Sequence, residues 1–309
     1  MATIDLSHPP PTAAGLLDAL PRRLALTLPE LQLAASHAGG APLPFEVTDP
    51  APAGAFDQRL GTSRASAQDQ AYAAALAALH DPAETLARRG LLTHDSLDQG
   101  LAGALGLLAT PRVAVDLDVT VDGARVRAWH REAQGAVATL ATADGLVFEL
   151  AWLAASAWPD ELARAAMLPS DQGLRGTALP DAIDVPFELL DAASEAVRSS
   201  RSDLLPVLAA RHSGACVDAD GGTIGDVELA SMLSALIIDT RGRLRALGAD
   251  VSGDETTVVG VVSWVLLADG WHALRPRRDG DEHRVEVRRV EAADLAGDLA
   301  FVLAEVVGR

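Results

Sequence analysis

Residues 112–121 read R-V-A-V-D-L-D-V-T-V, and their alternation decides the fold class. Val113, Val115, Leu117, Val119 and Val121 share one face while Asp116, Asp118 and Thr120 share the other, which is the period-2 pattern of a strand buried on one side. Asp122-Gly123 follows as a hairpin turn, because Gly accepts the positive φ that such turns need. Arg125, Arg127 and Arg131 then line a second strand, with Trp129 on the Arg face. Gln134-Gly135 and Asp144-Gly145 turn the chain into Ala136 to Ala141 and Leu146 to Leu150, and Trp158-Pro159-Asp160 opens a short helix ending near Met167.

The same order returns near the C-terminus. Arg241 to Ala249 and Thr256 to Ala268 read as strands, Asp269-Gly270 turns into Trp271 to Pro276, and Asp279-Gly280 precedes Arg284 to Val290, with Glu291 to Val307 as the closing helix. Residue identities differ but turns and order agree, so the pattern is read as a structural duplication. Two ordinary antiparallel meanders are the alternative. The expected class is α+β: two antiparallel sheet units, each with flanking helices, plus a helical bundle. Residues 1–167 and 168–309 are expected to be the two halves of one compact domain.

With 309 residues, 49% apolar and 22% charged, the chain has the composition of a globular protein able to bury a core. A formal charge of −18 argues against a phosphate backbone or an anionic membrane surface as partner. The basic residues are all Arg, and they are scattered among more numerous carboxylates. One cysteine, Cys216, excludes an internal disulfide and suits a reducing cytoplasm. The N-terminus lacks the basic and apolar regions of a secretory signal, and the longest near-apolar run, Val258 to Ala268, is far short of the ~20 residues of a membrane span, so a cytoplasmic location is expected.

Taken in order, a Pro-rich head runs to Pro11 and a short amphipathic helix is expected over Thr12 to Leu20. Thr27-Leu28-Pro29-Glu30 is a helix start, with the helix ending before Gly39-Gly40. Phe45-Glu46-Val47 is expected to join the first sheet, Pro50 to Gly54 to form a loop, and Ser63 to Leu79 a helix. Asp81-Pro82 starts another helical piece, and a further helix spans about Asp95 to Ala109. A Pro/Gly-rich connector, Leu168 to Asp184, precedes three helices over Pro186 to Val197, Ser202 to Arg211 and Val227 to Thr240. Their apolar stripes, among them Leu229, Met232, Leu233 and Leu236, suit the inside of a bundle; a partner-binding face would show the same periodicity.

Signals for chemistry are weak. Asp218 to Glu228 resembles a calcium loop but is one residue short, with Glu228 in eleventh place where a twelfth is needed. The eight His form no H-x-x-x-H pair, Cys216 has no nucleophile frame, and Gly221-Gly222 opens no phosphate-binding motif. Asp116 and Asp118 are expected to solvate the outer side of the sheet or to pair with Arg125 and Arg127 across the hairpin, rather than act as an acid pair. No enzyme activity, cofactor or metal is therefore expected. An enzyme or metal-binding protein with a site near Asp218 to Glu228, and a structural homodimer whose sheets pair across an edge, stay open as alternatives.

The assembled pattern resembles the EspG proteins of actinobacterial type VII (ESX) secretion. The likeness is carried by L-G-L-L-A-T-P-R-V-A-V-D-L-D-V-T-V at Leu105 to Val121, by the Asp144-Gly145 hairpin, by A-D-G-W-H-A-L-R-P at Ala268 to Pro276, and by V-R-R-V-E-A-A-D-L-A-G-D-L-A at Val287 to Ala300. It covers most of the chain beyond about Leu60. The resemblance implies a pseudo-twofold EspG-like fold and a cytosolic chaperone that binds PE–PPE-type secreted heterodimers before export. It also implies that the partner's tip docks on the sheet, on a strand-connecting loop, here Thr120 to Ala124, and on a helical bundle that includes Val227 to Ile238. The partner-binding residues expected on this basis are Val121, Asp122, Gly123, Trp129, Leu229, Met232, Leu233, Leu236, Trp264 and Trp271.

Overall fold

The computed structural model describes residues 22–46, 67–94, 96–170, 172–253 and 255–307. The Pro-rich head, the helix expected over Thr12 to Leu20, the loop from Pro50 to Gly54 and the first residues of the helix from Ser63 lie outside the described residues.

Strand β1 (Arg22–Thr27) runs directly into helix α1 (Leu28–His37). The Thr27 hydroxyl accepts from the Glu30 amide while the Glu30 carboxylate accepts from the Thr27 amide at 2.8 Å, a reciprocal cap on two amides that a first helical turn leaves without partners. Helices α2 (Ala67–Ala77) and α3 (Pro82–Arg88), the small hairpin β2 (Leu92–Thr93) and β3 (Ser96–Leu97), and helix α4 (Gln99–Ala109) follow. The helix expected from about Asp95 thus starts later, at Gln99, capped by Asp98, whose carboxylate accepts from the Leu101 amide at 3.0 Å. Strands β4 (Val113–Val121), β5 (Ala124–Ala133), β6 (Ala136–Thr142) and β7 (Val147–Ala154) then form a meander closed by α5 (Trp158–Ala166). Its tight turns have φ of +47° and +86° at Asp122 and Gly123 and of +54° and +79° at Gln134 and Gly135, the doubly left-handed pair whose twist matches that of the strands it joins.

The order then repeats. Strand β8 (Ala182–Pro186) leads into α6 (Phe187–Arg198), followed by α7 (Leu205–Arg211), the short β9 (Val217–Asp218) and α8 (Asp226–Ile237). A second meander, β10 (Gly242–Asp250), β11 (Thr257–Leu267), β12 (Gly270–Asp279) and β13 (Glu282–Val290), is closed by α9 (Asp294–Val307). In both copies the opening strand pairs antiparallel with the last strand of the meander, β1 with β7 and β8 with β13. These two opening strands correct the sequence reading. β8 falls in part within the supposed connector, and Phe45 lies in no strand. Instead the Phe45 ring stacks 4.9 Å from Phe148 and 5.1 Å from Trp129, so it covers the sheet instead of extending it.

The chain divides into two compact units, Met1–Arg112 with Trp129–Ala155, and Val113–Ala128 with Ser156–Arg309. In the first, α1 and α4 close over the β1–β7–β6 ladder, with Leu26, Leu31, Leu105, Leu140 and Leu150 fully buried. In the second, the ladder runs β4–β10–β11–β12–β13–β8. The bundle of α6, α7 and α8 packs through Leu189, Leu205, Leu229, Met232, Leu233 and Leu236 onto Val265, Leu267, Val285 and Val287. Neighbouring residues of a strand point to opposite faces, so Trp264 faces away from the bundle. There its indole N–H donates to Asp298 of α9 at 2.9 Å.

Candidate partner-binding surface

In the second unit the ladder of β4, β10 and β11 presents two unlike faces. The registers place Val119, Leu244 and Trp264 in one cross-strand row and Leu117, Ala246 and Val262 in the next. All six are buried, and α9 packs on β10 and β11. The rows that point the other way are Thr120–Arg243–Val265, Asp118–Arg245–Ser263 and Asp116–Leu247–Val261. Val265 lies under the bundle, but Arg243 and Arg245 are exposed, Asp116, Asp118, Thr120, Leu247 and Ser263 are half-buried, and Val261 is 41% exposed. This open face joins apolar patches to guanidinium groups beside a helical bundle. It offers area and shape, the requirements of a docking surface.

The charges on this face are partly matched. Arg125 grips Asp118 through Nε at 2.9 Å and through Nη2, as expected from their positions across the hairpin. Arg243 and Arg245 form no ion pair among the described residues. Ile238, 48% exposed, stands at the end of α8, just ahead of β10.

Most of the residues expected to contact a partner lie elsewhere. Trp129 is buried in the core of the first unit, beside Phe45. Leu229, Met232, Leu233 and Leu236 point into the bundle core. Trp264 and Trp271 are buried, and the Trp271 indole N–H donates to the Ala166 carbonyl at 2.8 Å. A side chain already packed on its own domain has little surface to offer a partner. Val121 is half-buried, whereas Asp122 and Gly123 are exposed at the β4–β5 turn. Arg243, Arg245, Leu247, Val261 and Ser263 are not among the expected partner-binding residues, yet they point to the uncovered side of β10 and β11. Alternation in G-R-L-R-A-L-G at 242–248 puts Arg243, Arg245 and Leu247 on one face of β10; which face stays uncovered depends on α9 and the bundle.

The Asp218 carboxylate accepts from the amides of Asp220 and Gly222 at 2.9 and 2.7 Å, so the calcium-like loop is a self-capped turn. Among the described residues no group of three His, Cys, Asp or Glu side chains stands where it could hold a metal ion. Burial pushes the Cys216 thiol up to about 11, away from a reactive thiolate. No described helix is long and apolar enough to cross a membrane.

No protein-family model and no curated protein sequence matches the chain. Solved structures do match, in fourteen chains. One is the Mycobacterium tuberculosis type VII secretion system chaperone EspG5, solved in complex with the PE25–PPE41 dimer; the match has a TM-score of 0.59 at 10% sequence identity and covers 91% of this chain and 96% of that one. The fold is thus shared almost end to end, and the chain has the fold of an EspG-type secretion chaperone.

Proposed function

We propose that this chain is a cytoplasmic secretion chaperone without enzymatic activity, which binds the tip of a PE–PPE-type helical heterodimer and keeps it soluble before type VII export. The observation that carries this reading is the near end-to-end match of its fold to EspG5. The open face of β4, β10 and β11 supports it physically. An exported helical pair carries an apolar tip that aggregates unless covered, and a broad rigid sheet flanked by a helical bundle covers such a tip better than a pocket would. Docking would involve the β4–β5 turn, Arg243, Arg245, Leu247 and Val261, with Trp264, Trp271 and the bundle leucines holding the scaffold from inside.

The edges of the ladders weigh against a homodimer formed by strand pairing. β1 has Arg22 and Arg23 at its start, its Ala25 carbonyl accepts from Arg89 Nη2 at 2.8 Å, and β9 is only two residues long. Short, charged and covered edges disfavour strand addition. The test is affinity capture from the native host's cytosol with mass spectrometry of the bound fraction. One secreted helical pair should co-elute in equal amounts with the chaperone; a clean preparation without such a pair would sink the reading.

A further inference from the structure

The β4–β5 turn is tied to a strap at residues 172–175. The Asp122 carboxylate accepts from Arg241 Nε at 3.2 Å, from Arg241 Nη2 at 2.9 Å and from Gln172 Nε2 at 2.7 Å, and the Asp122 amide donates to the Arg241 carbonyl at 2.8 Å. Arg241 Nη1 also reaches the Gly173 carbonyl at 3.4 Å, and the Arg175 amide donates to the Ala268 carbonyl at 2.7 Å. The strap belongs to no helix or strand, so these contacts fix its position. It carries Leu174, which is 51% exposed. Both carboxylate oxygens of Asp122 are engaged within the chain, one of them twice, which makes it a poor group for gripping a partner and a good one for holding its own surroundings.

We propose that Asp122 is a positioning residue: with Arg241 and Gln172 it locks the β4–β5 turn and the strap at 172–175 into one body, and so sets the shape of the rim on which a helical partner seats. The positioning role rests on the chaperone reading; the lock does not. Asp122 occupies the first left-handed position of its turn, where Asn serves at least as well. Asp122→Asn therefore keeps the turn and removes the charge, so a residue that mattered only to the turn would show no loss.

The experiment compares Asp122→Asn, Arg241→Gln and Gln172→Ala with the wild type by amide hydrogen exchange and by capture from host cytosol. Each variant should speed exchange at both the Asp122 and the Arg175 amides and lower the yield of the captured helical pair, each by about fivefold, the scale of one exposed ion pair. Faster exchange in only one of the two segments overturns the lock. Unchanged capture in a variant that releases both segments overturns the positioning role. Failure of the wild type to capture any secreted helical pair, with exchange still coupled, overturns the chaperone reading and the positioning role while supporting the lock, so the failures are told apart.

Discussion

The two faces of the β4–β10–β11 ladder are made by the same three strands, yet one is sealed and the other open. Row Val119–Leu244–Trp264 is buried, while the adjacent row Asp118–Arg245–Ser263 has an exposed Arg at its centre. A shift of one residue separates them, because strand side chains alternate with period two. The sealed face carries stability through packing. The open face is free to vary, and its chemistry can be given over to recognition.

Substitutions on the two faces should therefore separate stability from capture. Trp264→Ala removes a buried indole and leaves Asp298 without that donor, and it should cost about 3–5 kcal/mol in denaturant unfolding, with capture lost through unfolding. A cost below about 1 kcal/mol would mean that this face is not the core, since surface changes fall in that range. Gly242→Ala attacks the junction of the strands, because a Cβ there overlaps the Thr120 carbonyl oxygen. A cost of about 1–3 kcal/mol is expected, with faster hydrogen exchange at the β4 amides.

On the open face the order reverses. Arg245→Thr, which suits a strand and sets no second carboxylate opposite Asp118, should change stability by no more than about 0.5 kcal/mol, the range of ordinary surface substitutions, while weakening capture of the helical pair. Undiminished capture together with normal folding would remove this face from the proposed interface. The smallest effect concerns acid. The Glu286 carboxyl is held below its ordinary value of 4.5, chiefly by its hydrogen bond to Arg288 against the opposing pull of burial, and further by the charges of Arg275 and Arg277. A carboxyl with a lowered folded pKa adds stability above its unfolded value and loses it as pH falls through the folded one. Melting temperature should thus drop below about pH 4.5 by less in Glu286→Gln than in the wild type; identical profiles would show that this group does not contribute.

Much of the fold was legible because its signals are local. The turns at Asp122-Gly123 and Gln134-Gly135, the Thr27 to Glu30 cap and the bundle stripe through Leu229, Met232 and Leu236 follow from backbone sterics and periodicity within a few residues. The opening strands were not legible. Arg22–Thr27 and Ala182–Pro186 are short, and they are strands because β7 and β13, distant in sequence, supply their hydrogen-bonding partners. Nor was the burial of the large aromatics. Trp129, Trp264 and Trp271 drew attention as large aromatics, but an aromatic serves a core as readily as an interface, and burial has placed all three inside.

The sequence by itself determined the class, the duplicated order of elements and the division of β4 into an apolar and a polar side, because alternation and turn chemistry are written residue by residue. Only the tertiary structure decided that α9 covers the apolar side, that the polar side with Arg243 and Arg245 stays open, and that Asp122 turns inward to Arg241 and Gln172. Coverage and ion pairing depend on which distant segments meet, and no local pattern carries that information.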